Sequence, residues 1–104
     1  MVNADFSLAD LRGATLSFGE LSGVNFFGAD LTDAYIEACD LTGADFSNSQ
    51  LHRTTLTMMN CVDTKFNFAD FGGTANVVDC NFEKCGFKGA LFNDLDMNDI
   101  LFDR

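Results

Sequence analysis

Proline is absent from these 104 residues, and histidine occurs once. A chain without proline keeps every backbone N–H as a donor, which is what strands paired on both sides require. The single histidine, His52, is followed by Arg53 and has no cysteine or serine placed for it to activate, so nucleophilic catalysis is not expected. Basic side chains are scarce: six Lys and Arg stand against sixteen Asp and Glu, a formal charge of -10. That balance excludes a nonspecific nucleic-acid binder, which needs a basic patch. No apolar run is long enough to span a membrane, and no basic signal region opens the chain, so the expectation is a soluble cytoplasmic protein without membrane contact.

What is present is a period. Starting at Phe6, every fifth residue is apolar through Leu11, Leu16, Leu21, Phe26 and onward to Phe71. One step of six reaches Val77, after which the fives resume through Phe82, Phe87, Phe92, Met97 and Phe102. The inserted residue falls near positions 72–74. Two residues before each centre stands a smaller, uncharged residue such as Ala4, Ala9, Ala14 or Gly19.

A straight helix would scatter a step of five around its axis. A flat strand would flip it between faces. The pattern closes only if the chain bends after each quintet, with the small residue and the centre pointing inward. Six glycines (Gly13, Gly23, Gly28, Gly43, Gly73 and Gly89) then occupy the second corner position, where positive φ costs glycine least. Phenylalanine recurs at twenty (Phe6, Phe26, Phe46, Phe66), so four quintets make one square coil. All Asp, Glu, Lys and Arg fall at outward positions, an independent check on the register. The reading is one all-β domain over residues 1–104, a parallel β-helix of about five coils, roughly 24 Å tall at strand spacing.

Ala4-Asp5-Phe6-Ser7-Leu8, Ala9-Asp10-Leu11-Arg12-Gly13, Ala29-Asp30-Leu31-Thr32-Asp33 and Ala44-Asp45-Phe46-Ser47-Asn48 resemble the A-(D/N)-(L/F)-x-x unit of pentapeptide-repeat proteins. The resemblance runs over twenty units and implies a right-handed quadrilateral β-helix. It also implies a non-enzymatic interaction module, and for some members binding to DNA gyrase by imitation of DNA. The second half departs from the unit: Thr54, Met59, Thr64, Cys80, Cys85, Leu95 and Ile100 replace alanine, which suggests a differently packed lower end. No terminal cap is visible, so either the chain is a fragment of a larger repeat protein or spacer, or another molecule covers an end.

Metal and cofactor chemistry find no support. Cys39, Cys61, Cys80 and Cys85 take inward positions, as reduced core residues do, and Cys80 and Cys85 lie on successive sides without a histidine. Asp94, Asp96 and Asn98 imitate the start of a calcium loop, but Asp99 stands where that loop needs glycine. The surface carries what remains. One set of carboxylate columns comprises Asp10, Asp30, Asp33, Asp70 and Asp94, and a second comprises Glu20, Asp40, Asp63, Glu83 and Asp103. They are read either as DNA-like charge or as acids that keep a β-protein soluble. Phe18, Tyr35, Ala38, Met58 and Val78 point outward along one side and form a candidate apolar patch for another protein. Leu91, Leu95, Ile100, Leu101 and Phe102 make the last coil the most apolar, the place for self-capping or an end-to-end homodimer contact.

Overall fold

Four sides per coil follow from the twenty-residue period, and a computed structural model builds them. It describes residues 3–73 and 76–92, with the backbone of 96–98 and 101–102. Faces 1 to 4 are centred on the columns that begin at Phe6, Leu11, Leu16 and Leu21. Coils 1 to 4 comprise residues 4–23, 24–43, 44–63 and 64–84, and coil 5 begins at residue 85. Only face 3 becomes continuous sheet. Its strands β1 (Thr15–Ser17), β2 (Tyr35–Glu37), β3 (Thr55–Thr57), β4 (Asn76–Val78) and β6 (Asp96–Asn98) pair in parallel in that order, with Leu16, Ile36, Leu56, Val77 and Met97 in register. On face 4, β5 (Asn81–Phe82) pairs with β7 (Leu101–Phe102). Elsewhere single parallel bridges join the coils, as in Asp10 to Asp30 to Gln50 to Asp70. The register offset grows by one between Asp70, which pairs with Gln50, and Asn76, which pairs with Thr55.

The repeat is legible in where each backbone N–H goes. Taking the quintet around Phe26, Asn25 donates upward to Ala4 O at 2.9 Å, and Phe26 donates downward to Asp45 O at 2.7 Å. Gly28 also donates downward, to Ser47 O, and Ala29 closes the corner onto Phe26 O. That leaves the N–H of Phe27, which the Asn25 side chain accepts through Oδ1 at 2.9 Å. The same clasp is made by Asp5, Asp10, Asp30, Asp40, Asp45, Asn60, Asp70 and Asn81 two residues before the donor. Asp or Asn before the centre therefore has a structural use: it satisfies the one donor that the coil itself leaves over. Where Gly86 cannot supply the oxygen, Asn67 of the coil above accepts from Lys88 N–H instead.

Every described second-corner residue has positive φ, the six glycines and twelve others alike. The expectation drawn from glycine alone thus extends to Leu8, Phe18, Met58 and Phe68, whose φ lies between 53° and 61°. A side chain in that region costs about 1–2 kcal/mol, and the stacked coils hold it there. Two glycines do more than relieve strain. A Cβ at Gly28 would meet Leu8 Cδ2 at 2.6 Å, and one at Gly89 would meet the Phe68 ring at 2.5 Å. Leu8 and Phe68 therefore lie along the corner of the coil below, in space that glycine leaves. Ala38 takes φ 55°, so Ala38→Gly is expected to stabilise the fold by about 0.5–1 kcal/mol. The same exchange at buried Ala44, an inward position, is expected to destabilise by a similar amount. Thermal melts of the two variants should move in opposite directions.

Inside, like stacks on like. Phe6, Phe26, Phe46, Phe66 and Phe87 form one near-parallel stack with centroid separations of 5.7, 4.6, 5.1 and 5.3 Å. The polar replacements for alanine have a use. Thr54 Oγ1 donates to Leu31 O at 2.8 Å, Thr64 Oγ1 to Leu41 O at 2.7 Å, and Cys85 Sγ to Cys61 O at 2.7 Å, each reaching back 23 or 24 residues, a little more than one turn of the solenoid. Ser49 Oγ is buried without a partner. The four cysteines are free thiols. Burial pushes Cys61 well above the usual thiol range and Cys80 and Cys85 up to about 11, so these sulfurs stay protonated and unreactive.

Candidate interaction surfaces

Because the quintet sends small residue and centre inward, all chemistry available to a partner sits on four outer faces. No group of three or more potential metal ligands converges among the described residues. Each face has its own character.

Face 2 carries the first carboxylate column, and the structure pairs part of it with base. Asp10 receives two bonds of 2.8 Å from Arg12 Nε and Nη2. Asp33 receives Arg53 Nε at 2.7 Å and Nη2 at 3.1 Å, one coil apart. Asp70 Oδ2 lies 2.9 Å from His52 Nε2 while its Oδ1 clasps Gly72 N–H. Asp30 is held by Thr32, whose Oγ1 donates at 2.6 Å. Two of its four described acids are thus paired with arginine, and a shallow open depression of about 510 Å³ lies over Asp10, Arg12, Gly13 and Asp33. Asp94 lies outside the described residues.

The Arg12 guanidinium holds the Asp10 carboxyl down to about 2. The folded value lies below the unfolded one, so this contribution to stability is present above about pH 4 and is lost as pH falls toward 2. Arg12→Ala should raise the Asp10 titration toward the ordinary carboxylate range, with the bond from the backbone N–H of residue 12 still holding it lower, as carboxyl carbon NMR shifts would show. An unmoved titration would mean that the pair does not form in solution.

Face 4 keeps its negative sign. Glu20, Asp40, Asp63 and Glu83 face outward, and Lys84 is the sole base among its described residues. Hydrogen bonds from Thr42, side chain first and backbone second, hold the Asp40 carboxyl below its ordinary range. Asp103 lies outside the described residues.

Face 3 carries the apolar patch. Phe18 is 78% exposed, Met58 50% and Tyr35 39%, and Val78 is half-buried beside them. Phe18 and Met58 stand at the corner shared with face 4, held outward by their positive φ. One outward row of the sheet is Thr15, Tyr35, Thr55 and Asn76; the other is Ser17, Glu37, Thr57 and Val78, so the patch borders a mostly polar surface on which Glu37 lies beside Tyr35.

Face 1 holds a second apolar group, outside the stripe expected on face 3. Leu8, Phe27 and Phe68 are all exposed there. The register already assigns these three to outward positions, and that was the available signal. At the C-terminal end Leu91 is exposed, and the backbone of Leu101–Phe102 forms β7. Leu95 and Ile100 lie outside the described residues.

The family model described as Pentapeptide repeats matches in eight copies, over residues 1–28, 20–57 and 29–66. That is more than half of the chain, and the protein belongs to the pentapeptide-repeat family, with its right-handed quadrilateral parallel β-helix. Among solved structures it is similar to a pentapeptide repeat protein (Rfr23) from the cyanobacterium Cyanothece 51142, at 17% identity and a TM-score of 0.84 over 99% of this chain and 86% of that one. It is also similar to trypsin-treated QnrB1, a plasmid-mediated fluoroquinolone resistance protein, at 28% identity and a TM-score of 0.74 over 95% of this chain. The chain spans 60% of that structure. No curated protein sequence matches.

Proposed function

We propose that this protein is a non-enzymatic, cytoplasmic interaction module that binds another protein through face 3, with the acidic face 4 beside it orienting the partner. One observation carries the reading: Phe18, Tyr35 and Met58 are exposed together along a flat five-stranded sheet. Large apolar side chains grouped on a small acidic protein are costly to leave in water and match the anchors of protein interfaces. The carboxylates of face 4 raise encounter rates and select against acidic partners. A photocrosslinking phenylalanine analogue at position 35, expressed in the native cell, should capture a discrete protein adduct. The adduct should vanish with Phe18→Ser and Met58→Ser combined. Equal capture from that double variant would contradict the assignment of face 3.

A second reading is a DNA-mimicking binder of DNA gyrase that protects it from quinolones. The net negative charge of face 4 and the likeness to a fluoroquinolone resistance protein support it. Face 2 supports it less, since Asp10 and Asp33 are paired with Arg12 and Arg53. Five coils also equal only about seven base pairs in height, since base pairs rise about 3.4 Å each. In a supercoiling assay with purified gyrase, this reading requires inhibition that the combined Glu20→Gln, Asp40→Asn and Glu83→Gln variant loses. Absence of any effect at tens of micromolar removes it.

A further inference from the structure

Face 1 differs from the other three in charge. Its described residues carry two acids, Asp5 and Asp45, and two bases, Lys65 and Lys88, in a chain of net charge -10. The signs are separated along the axis, with acids on coils 1 and 3 and lysines on coils 4 and 5. Among the described residues the ion pairs involve Arg12, His52 and Arg53, and none engages either lysine. Asp45 and Lys65 stack in register without forming such a pair, because Asp45 turns Oδ1 to Ser47 N–H at 2.9 Å. The same face exposes Leu8 at 76%, Phe27 at 40% and Phe68 at 55%. Leu8 lies over Gly28 of coil 2, and Phe68 over Gly89 of coil 5.

We infer that face 1 is the docking surface for a second copy of this chain, packed antiparallel about a two-fold axis that runs along the strand direction between coils 3 and 4. Such a rotation reverses the order of coils and keeps the position within each quintet. Coil 3 then faces coil 4, and coil 2 faces coil 5. Asp45 meets the second copy's Lys65, and the two-fold repeats that pair. Ser47 meets Asn67, both able to hydrogen-bond. Phe27 meets Lys88, an ammonium against an aromatic ring. Leu8, lying on coil 2, meets Phe68, lying on coil 5.

An isologous interface demands this kind of self-complementarity, in which residue i meets j and j meets i. The molecule measures 28 × 24 × 24 Å, so one face offers less than the about 800 Å² per partner of a standard interface, the size of a weak, reversible contact. Repulsion between two such acidic chains is weakest where face 1 meets face 1. Face 3 lies on the opposite side of the square, so both copies keep it open.

Sedimentation equilibrium of the full chain, from micromolar to sub-millimolar, should show a monomer–dimer equilibrium. Lys65→Glu and Asp45→Lys each place like charges opposite one another twice, and each should weaken self-association about a hundredfold. Mixing the two variants restores opposite signs at both contacts and should yield a heterodimer with wild-type affinity. Both positions are outward; Lys65→Glu should melt near the wild-type midpoint, while Asp45→Lys, which gives up the bond from Ser47 N–H, should melt lower and still fold cooperatively, as circular dichroism will show. A wild-type monomer at every concentration overturns the proposal. So does a dimer indifferent to both single changes, as an end-to-end contact would be, or a mixture that fails to associate.

Discussion

Phe46→Ala is expected to destabilise the protein by about 3–5 kcal/mol, the cost of emptying a well-packed aromatic site. Phe46 is 1% exposed and sits mid-stack, with centroids of Phe26 at 4.6 Å and Phe66 at 5.1 Å. Its neighbours cannot collapse into the space, because each is tied to its own coil by backbone bonds above and below. At about 4–8 °C per kcal/mol for a domain near this size, the melting midpoint should fall by tens of degrees. Phe68→Ala removes the same side chain from an outward corner and should change stability by about 0.5 kcal/mol or less. Equal effects at the two positions would contradict the assignment of inside and outside.

Ile36→Asp should be more damaging still. Ile36 is fully buried at the centre of the face 3 sheet, in register between Leu16 and Leu56. The change forfeits a buried aliphatic group, about 2–5 kcal/mol, and adds a carboxylate with no partner, which costs several more. Together these approach the whole stability of a small domain, about 5–15 kcal/mol, so the variant is expected to be unfolded at neutral pH. Tyr35→Asp, one residue earlier and outward, should fold normally. Far-ultraviolet circular dichroism and resistance to trypsin separate the two, and a folded Ile36→Asp protein would mean that the sheet is not the core wall described above.

Much of this is legible in the sequence, because a solenoid converts sequence period directly into position. The five-residue period and the Phe column name the inward residues, and the buried core among the described residues falls on those positions. The six glycines at the second corner named the place where the chain turns through positive φ, and the structure puts all six there. Local chemistry was harder to read. The Asp and Asn before each centre look like surface charge in the sequence, and their clasp on a backbone N–H two residues later appears only once the corner geometry is known. That double duty is why carboxylate columns overstate the charge available to a partner.

Pairing across coils was half legible. Arg53 and Asp33 lie one coil apart and could have been matched by counting twenty. His52 and Asp70 are eighteen apart, two short of the column period of twenty, and their contact depends on side-chain reach around Gly72. The threonines and cysteines that replace alanine pointed to a differently packed lower end, and Thr54, Thr64 and Cys85 bond to carbonyls 23 or 24 residues earlier at 2.7–2.8 Å. Hydroxyl and thiol groups at inward positions signalled this. What no period reveals is which exposed apolar side chains lie flat on a glycine below, as Leu8 and Phe68 do, and which stand free at a corner, as Phe18 does.

The most direct test of the account is a comparison of affinities for the partner captured at position 35. Removing Phe18, Tyr35 and Met58 together as serines should weaken binding by at least about a hundredfold, since apolar anchors at the centre of an interface dominate its energy. Neutralising Glu20, Asp40 and Glu83 on face 4 should weaken it only severalfold, and less at high salt. The reverse order, with the serine variant binding like wild type and the face 4 variant failing, would contradict binding through face 3.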